Sequence, residues 1–261
     1  MKGNNYSYDT IPYVGSGSVL FSKIDANDKP TGGWSNIGTC NSATASLSTE
    51  ALEIKETQSG KNTVTHKITT AQNGELSIET ISFKPDVLKD LLFGELYEDA
   101  ENPSATFSDA AYLGKVVMVP GFISEITSVD SEDEMTTYVE GENYIVSDSG
   151  IEILKDQSGA ANPITDGDVV VVSYTKAASQ RIEGMINNNV EVAVAFTGVN
   201  VADGDKPVKA IYHKVSLTPA QQRQLISAEQ EATMSITGTL LAAKYITDPT
   251  KSKLFSEEHL A

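Results

Sequence analysis

A stretch of strand-like alternation that runs into a short amphipathic helix, Val64 to Gly94, most limits what this chain can fold into. Val64, His66 and Ile68 fall on one side of the first run and Thr65, Lys67 and Thr69 on the other. That period of two is what a strand with one buried face requires. Asn73-Gly74 then predicts a hairpin, because both residues tolerate the positive φ of a type I′ turn. The returning run sets Leu76 and Ile78 against Glu75, Ser77 and Glu79. Pro85 suits the first turn of a helix, where its missing N–H costs nothing. Val87, Leu88, Leu91 and Leu92 make an apolar stripe, the anchors of that helix, and Gly94 suits a left-handed C-terminal cap. On its own, a hairpin feeding one short helix fits any α+β domain.

Upstream, residues 1 to 15 are polar and dotted with Tyr, which predicts an arm. Ser16–Ile24 alternates as a strand, and Asp25 to Gly33 has loop composition. Ser42–Leu47 and Leu52–Glu56 read as two strands broken near Ser48-Thr49-Glu50, with a turn at Gln58-Ser59-Gly60-Lys61. Downstream of Gly94 the character changes. Glu98 to Asp109 and Thr175 to Gln180 have linker composition. Between them lie short strand-like runs at Val116–Val119, Phe122–Ile126, Met135–Val139, Tyr144–Val146, Ile151–Leu154 and Val169–Tyr174, with turn signals at all-β spacing. From Glu101 to Ala178 there are 14 acids and 3 bases, a net of −11, whereas the remainder carries 22 acids and 16 bases, or −6. That shift predicts an inserted acidic β domain over 106–178, with the main domain discontinuous over 1–105 and 179–261.

The third part returns to the style of the first. Val190, Val192, Val194 and Phe196 alternate with Glu191, Ala193, Ala195 and Thr197. Ala210–Val215 is a further strand, and Thr218-Pro219-Ala220-Gln221 has the form of a capping box, predicting a helix to about Ile226. Met234, Ile236 and Leu240 alternate with Thr233, Ser235, Thr237 and Thr239, and the last fifteen or so residues are charged, as a tail would be.

Composition excludes several function classes. A net charge of −17 disfavours embracing nucleic acid through a basic patch and favours repulsion from polyanions. One cysteine, Cys40, allows no intramolecular disulfide, and no Cys/His spacing suits zinc. No signal peptide is visible, and the longest apolar runs are too short to span a bilayer. A soluble protein made in the cytoplasm is expected. Asp130 to Glu134 is densely acidic but lacks the alternating ligands and glycine of a calcium loop. Asp166-Gly167-Asp168 and Asp203-Gly204-Asp205 read as ordinary turns. Paired carboxylates could serve a glycosidase, yet no aromatic-lined cleft is suggested. No nucleophile elbow or phosphate loop is present. His66, on the inward face of a strand, is expected to be buried and hydrogen-bonded. Neither catalytic residues nor a metal or cofactor site is expected.

The order of these features resembles the tail tube (major tail) proteins of bacteriophages with long non-contractile tails. The matching pieces are Trp34-Ser-Asn-Ile-Gly38 before a Ser/Thr-rich strand, Leu52-Glu-Ile-Lys-Glu56 with Ser59-Gly60, the hairpin Val64–Ile81, and the helix Pro85–Phe93 closed by Gly94. Val194-Ala-Phe196-Thr-Gly198, His213-Lys-Val215 through Pro219 and the Thr-rich strand ending at Leu240 are similar to that family's second half. Tyr144-Ile-Val146, Gly150-Ile-Glu-Ile153, Asp166-Gly167 and Val170 through Thr175 resemble a β module common inside such proteins.

The resemblance implies a mainly β fold, a sandwich or barrel with one or two short flanking helices, plus the inserted all-β domain. It also implies hexameric rings that stack into a tube and conduct the genome at infection. The partners would be other copies of the chain, the tape-measure protein and phage DNA in the lumen, and tail terminator and distal tail proteins at the ends, with no membrane. The location would be the virion. Lumen-lining candidates are then Thr65, Lys67, Thr69, Glu75, Ser77, Glu79, Glu191, Thr233, Ser235 and Thr237. Small polar strand faces suit a wetted wall and negative charge suits a conduit that must release DNA; Lys67 departs from that pattern. Two other readings stand beside this one: a carbohydrate-binding or adhesive β module of a virion, and the tube protein of a contractile or type VI secretion system.

Overall fold

A computed structural model describes residues 12–58, 61–220, 223–227 and 231–260. The chain is mainly β. Its first strands are β1 (Gly15–Ile24), β2 (Pro30–Asn36), β3 (Cys40–Lys55) and β4 (Val64–Thr80), followed by helix α1 (Pro85–Leu91). The middle holds β5 (Glu95–Asp99), β6 (Asn102–Ala110), β7 (Val116–Met118), β8 (Ile123–Ser131), β9 (Tyr144–Ser147), β10 (Gly150–Ile153), β11 (Val169–Lys176) and β12 (Ser179–Glu183). β13 (Glu191–Asn200), β14 (Lys206–Thr218), β15 (Met234–Leu240) and β16 (Phe255–His259) complete the order. Two compact units result. One takes the chain up to Glu95 and again from Ile182, and the other is Leu96–Arg181.

In the first unit, one antiparallel sheet runs in the order β2-β1-β13-β14-β15-β4-β3, with β16 beside β14. β14 is long enough to pair with β16 along Val208–Tyr212 and with β15 along Val215–Thr218. Alternation puts Leu76, Ile78, Val192, Val194, Val215, Leu217, Met234, Ile236 and Leu240 on the side where Val87, Leu88 and Leu91 of α1 meet them. Pro85 opens the helix, and Val87, Leu88 and Leu91 are buried, while Leu92 is half-buried. The left-handed residue at its end is Phe93 (φ 53°), not Gly94. Gly94 is small for another reason: a Cβ there would lie 2.2 Å from the Glu183 carbonyl oxygen.

There is no hairpin at Asn73-Gly74. β4 runs straight through it and pairs with an equally unbroken β3, with Asn73 opposite Ser48 and Gly74 opposite Leu47. The reversal lies between Lys55 and Val64, where the Glu56 N–H donates to the Thr63 carbonyl (2.8 Å). Ser59 and Gly60 of that expected turn lie outside the described residues, as do residues 1–11 of the expected arm. The break foreseen near Glu50 survives only as a register shift, because Thr70 is an extra residue on β4. The loop expected over Asp25–Gly33 is shorter, since β2 begins at Pro30; the Asp25 carboxylate closes the turn by accepting from the Asn27 and Lys29 amides. The helix expected after Thr218 is not formed by described residues: β14 ends at Thr218, Arg223 bridges Met234, and 224–227 are irregular. Gln221 lies outside the described residues. The expected charged tail supplies β16, held by a Lys209–Glu258 contact of 2.7 Å and by Phe255 stacked on Tyr212.

The second unit packs two three-stranded sheets, β6-β11-β8 and β7-β10-β9, around Val117, Val129, Ile151, Ile153, Ile164, Val170 and Val172. Buried Asn143 accepts from the Val139 amide and donates to Gln157 Oε1 (2.9 Å) and the Asn162 carbonyl (2.8 Å), which ties down the 154–164 loop. The unit begins ten residues earlier than the expected 106 and ends at 181 rather than 178, because both supposed linkers are strand. β6 pairs with β11 despite its polar sequence, and β5 pairs with β12. Met135–Val139 is no strand: Thr137 makes a single bridge to Asp130.

Candidate functional site

Most of the polar residues that alternation sends away from the core are brought into register with one another. Ser235 lies opposite Glu79, Thr237 opposite Ser77 and Thr239 opposite Glu75. On the other edge of β4, Glu79, Ser77 and Glu75 face Ser42, Thr44 and Ser46 of β3. β14 continues the row, with Thr218 against Thr237, Ser216 against Thr239, and Glu191 of β13 against Ser216. Directly opposed residues share a face, with Cβ atoms about 4.5–5.5 Å apart. The result is one surface five strands wide, made of hydroxyls and carboxylates with no Lys or Arg in those rows. Along β15, Met234, Ile236, Gly238 and Leu240 are buried, while Ser235, Thr237 and Thr239 are exposed. Thr233 lies just before that strand, half-buried. Such a face is well hydrated and anionic, and it repels phosphate rather than binding it.

Thr65, Lys67 and Thr69 do not belong to this face. At Thr70 the register changes, so that Glu50 faces Ala71 but Ala51 faces Thr69. Glu50 and Ala51 point to opposite sides, which places Thr69 and Lys67 across the ribbon from Glu75, Ser77 and Glu79. The Lys67 ammonium lies 3.9 Å from Glu53, an exposed pair that contributes little. Thr65 is itself the extra residue of a second irregularity, its hydroxyl donating to the Ile54 carbonyl (3.0 Å).

Beyond the bulge, β3 and β4 form a two-stranded ribbon with no third strand beside it among the described residues. There Leu52 opposes Ile68 and Ile54 opposes His66 on one side. Leu52 is 57% exposed and Ile68 51%. His66 is exposed as well, not buried as expected, because the face it shares has no layer over it. An isolated ribbon is marginal in water and an uncovered apolar strip on it marks a contact surface.

Glu191, at the margin of the polar face, has a second attachment. A bulge in β14 between Tyr212 and Val215 brings Lys214 to a position 2.9 Å from Glu191 Oε2 and 2.9 Å from Asp28 Oδ1. Asp28 sits in the β1–β2 turn at φ 65°, and its Oδ2 accepts from the Lys244 amide (3.0 Å). Asp28 and Lys214 are both buried. The Lys214 hydrogen bond holds the Asp28 carboxyl below its usual range, and the Glu191 hydrogen bond holds the Lys214 ammonium above its own. Nothing in the sequence marked Asp28, one of several acids in a turn. Beside Lys214, buried His213 meets the Tyr245 hydroxyl through Nδ1 (2.7 Å), and burial pushes its pKa down.

β1 and β3, separated by four strands along the sheet, approach each other at their Cα atoms to within 8 Å, so the sheet curls. The curl forms a partly open cavity of about 590 Å³ lined by Val19, Leu76, Ile78, Val194, Phe196 and Tyr212, with Cys40 and Glu257 at its side. Burial raises the Cys40 thiol pKa, the opposite of what an activated nucleophile needs. Elsewhere the acid-rich motifs are taken up in local hydrogen bonds, Asp130 at the end of β8 and the others in turns. Asp130 accepts from Ser128 and Thr137, Asp133 from Ser131, Asp166 from the Leu113 amide and Asp168 from Thr165. Among the described residues, no group of three or more His, Cys, Asp or Glu is arranged to hold a metal ion.

The family model described as Protein of unknown function UCP028589 matches residues 12–257. The chain belongs to that family. Comparison with curated proteins finds no match.

Proposed function

We propose that this chain is the structural subunit of a bacteriophage tail tube of the long non-contractile type, with no catalytic role. The observation that carries the reading is the polar face shared by β13, β14, β15, β4 and β3. A sheet buried on one side and lined on the other with Ser, Thr and Glu suits the wall of an aqueous channel. Repeated around a ring of copies, its carboxylates keep DNA from adhering, so that the genome slides.

In this reading the first unit has the tube fold, hexameric rings stack into the tube, and the second unit is an insertion. The tape-measure protein and DNA occupy the lumen in turn, and terminator and distal tail proteins cap the ends. The exposed Leu52, Ile54 and Ile68 strip fits a subunit that is complete only among its neighbours. Electron microscopy of the purified chain tests this directly. Rings or tubes with a central channel are expected. Monomers at all concentrations that bind glycans would overturn the reading in favour of an adhesive module.

A further inference from the structure

We propose that Lys214 and Asp28 condense spontaneously into an intramolecular isopeptide bond, with Glu191 as the proton carrier. The proposal stands apart from the tube reading and rests on three side chains. Lys214 Nζ lies 2.9 Å from Asp28 Oδ1 and 2.9 Å from Glu191 Oε2, so the nucleophile touches both the carboxyl it would attack and the base. The Asp28 and Lys214 side chains are only 4% and 11% exposed, which limits competition from water. The position of each is fixed: Asp28 by its turn and the Lys244 amide on Oδ2 (3.0 Å), Lys214 by the β14 bulge, Glu191 by the first pairs of β13. Groups held in contact in this way can reach effective concentrations of about 10⁵–10⁸ M, which removes much of the entropic barrier to their reaction.

The step balances without any outside reagent. The Lys214 ammonium passes one proton to Asp28 Oδ1, 2.9 Å away, so that a neutral amine faces a neutral carboxyl, and the amine attacks Cγ. Glu191 takes the second proton from the nitrogen and returns it to the Oδ1 hydroxyl, which leaves as water. Oδ2 remains as the amide carbonyl, still accepting from the Lys244 amide, and Glu191 is again a carboxylate. Ammonium and carboxylate become one neutral amide, so the net charge of the site does not change. The resting state is the ion pair, so the reaction waits on the first proton transfer and proceeds slowly after folding. The product would staple the β1–β2 turn to β14, which are 186 residues apart in sequence.

Intact-mass measurement of the full chain under denaturing conditions, fresh and after days of incubation, tests this. A mass lower by one water is expected, with a branched tryptic peptide joining the chain around Asp28 to that around Lys214. Asp-Gly pairs can also dehydrate, so water loss mapped to Asp166-Gly167 or Asp203-Gly204 would overturn the proposal. Full mass with two separate linear peptides would overturn it as well. Glu191→Gln keeps the shape of the site but removes the base, and this variant, folded by circular dichroism, is expected to stay at full mass. Equal dehydration of the variant would remove Glu191 from the mechanism.

Discussion

Leu240 packs so closely on the backbone of Gly74 that a Cβ on that glycine would lie 2.6 Å from Leu240 Cδ1 and 3.1 Å from Leu47 Cδ2. Gly74 is thus a packing residue at the centre of a long strand. Leu240 is buried and cannot swing aside freely. Gly74→Ala is expected to destabilise the first unit by about 1–3 kcal/mol, the usual range for overpacking. Asn73→Ala, one position away and exposed, should change stability by under about 0.5 kcal/mol. Urea denaturation of both variants checks this; the order reverses if Asn73 is the residue that matters.

The helix gives a second quantity. Leu91 is fully buried and Leu88 nearly so, both against the sheet core. Leu→Ala at either is expected to cost about 2–5 kcal/mol, a large share of a domain stability of about 5–15 kcal/mol. Leu92→Ala, half-buried, should cost less. A loss at Leu88 or Leu91 no greater than at Leu92 would mean that the stripe is not what seats the helix.

These two sites show what was legible in the sequence and what was not. The helix, the burial of Leu76 and Ile78, and the strict buried–exposed alternation of β15 are local patterns, and each was readable from its own residues. Gly74 was not, because glycine answers to two different needs, positive φ and close approach, and only the position of Leu240 decides between them. The Thr70 bulge is equally silent in the chain, yet it puts Lys67 and Thr69 on the opposite side from Glu75 and Ser77. Ser42, Thr44 and Ser46 alternate visibly, but only pairing with β4 adds them to the polar face. Strand β16 was hidden by its charge, since its partner Lys209 lies far upstream. Asp28 became notable only when a bulge 186 residues away aimed Lys214 at it.

Buried His213 sets a pH dependence. Burial holds its folded-state pKa below the unfolded value of about 6.5. Between the two values the unfolded chain binds a proton that the folded chain does not, so stability falls as pH drops below about 6.5. His213→Gln retains a partner for the Tyr245 hydroxyl but does not titrate. Its stability should change less between about pH 7 and pH 5.5 than that of the parent, whose other groups titrate in both proteins. Identical slopes in urea midpoints would show that His213 is protonated in the folded chain as easily as in the unfolded one.

The polar face carries the most direct functional test. Glu75 and Glu79 lie four residues apart on one face of β4, flanked by Ser46 and Ser42 on one side and by Thr239 and Ser235 on the other. Neither side chain closes a core contact, so Glu75→Lys with Glu79→Lys should leave folding and ring assembly intact. In a tube, however, ring symmetry repeats the reversal around the axis and along the length, turning an anionic wall cationic where DNA must pass. Ejection should slow or stall, and the defect should shrink as added salt screens the wall over about 10 Å at 0.1 M. The measurement is DNA release from virions carrying the double substitution, at two ionic strengths. Because phosphate contacts weaken steeply with salt, a lumenal lysine must show that dependence. Release at the parental rate under both conditions, from tails of normal length, would place this face outside the channel.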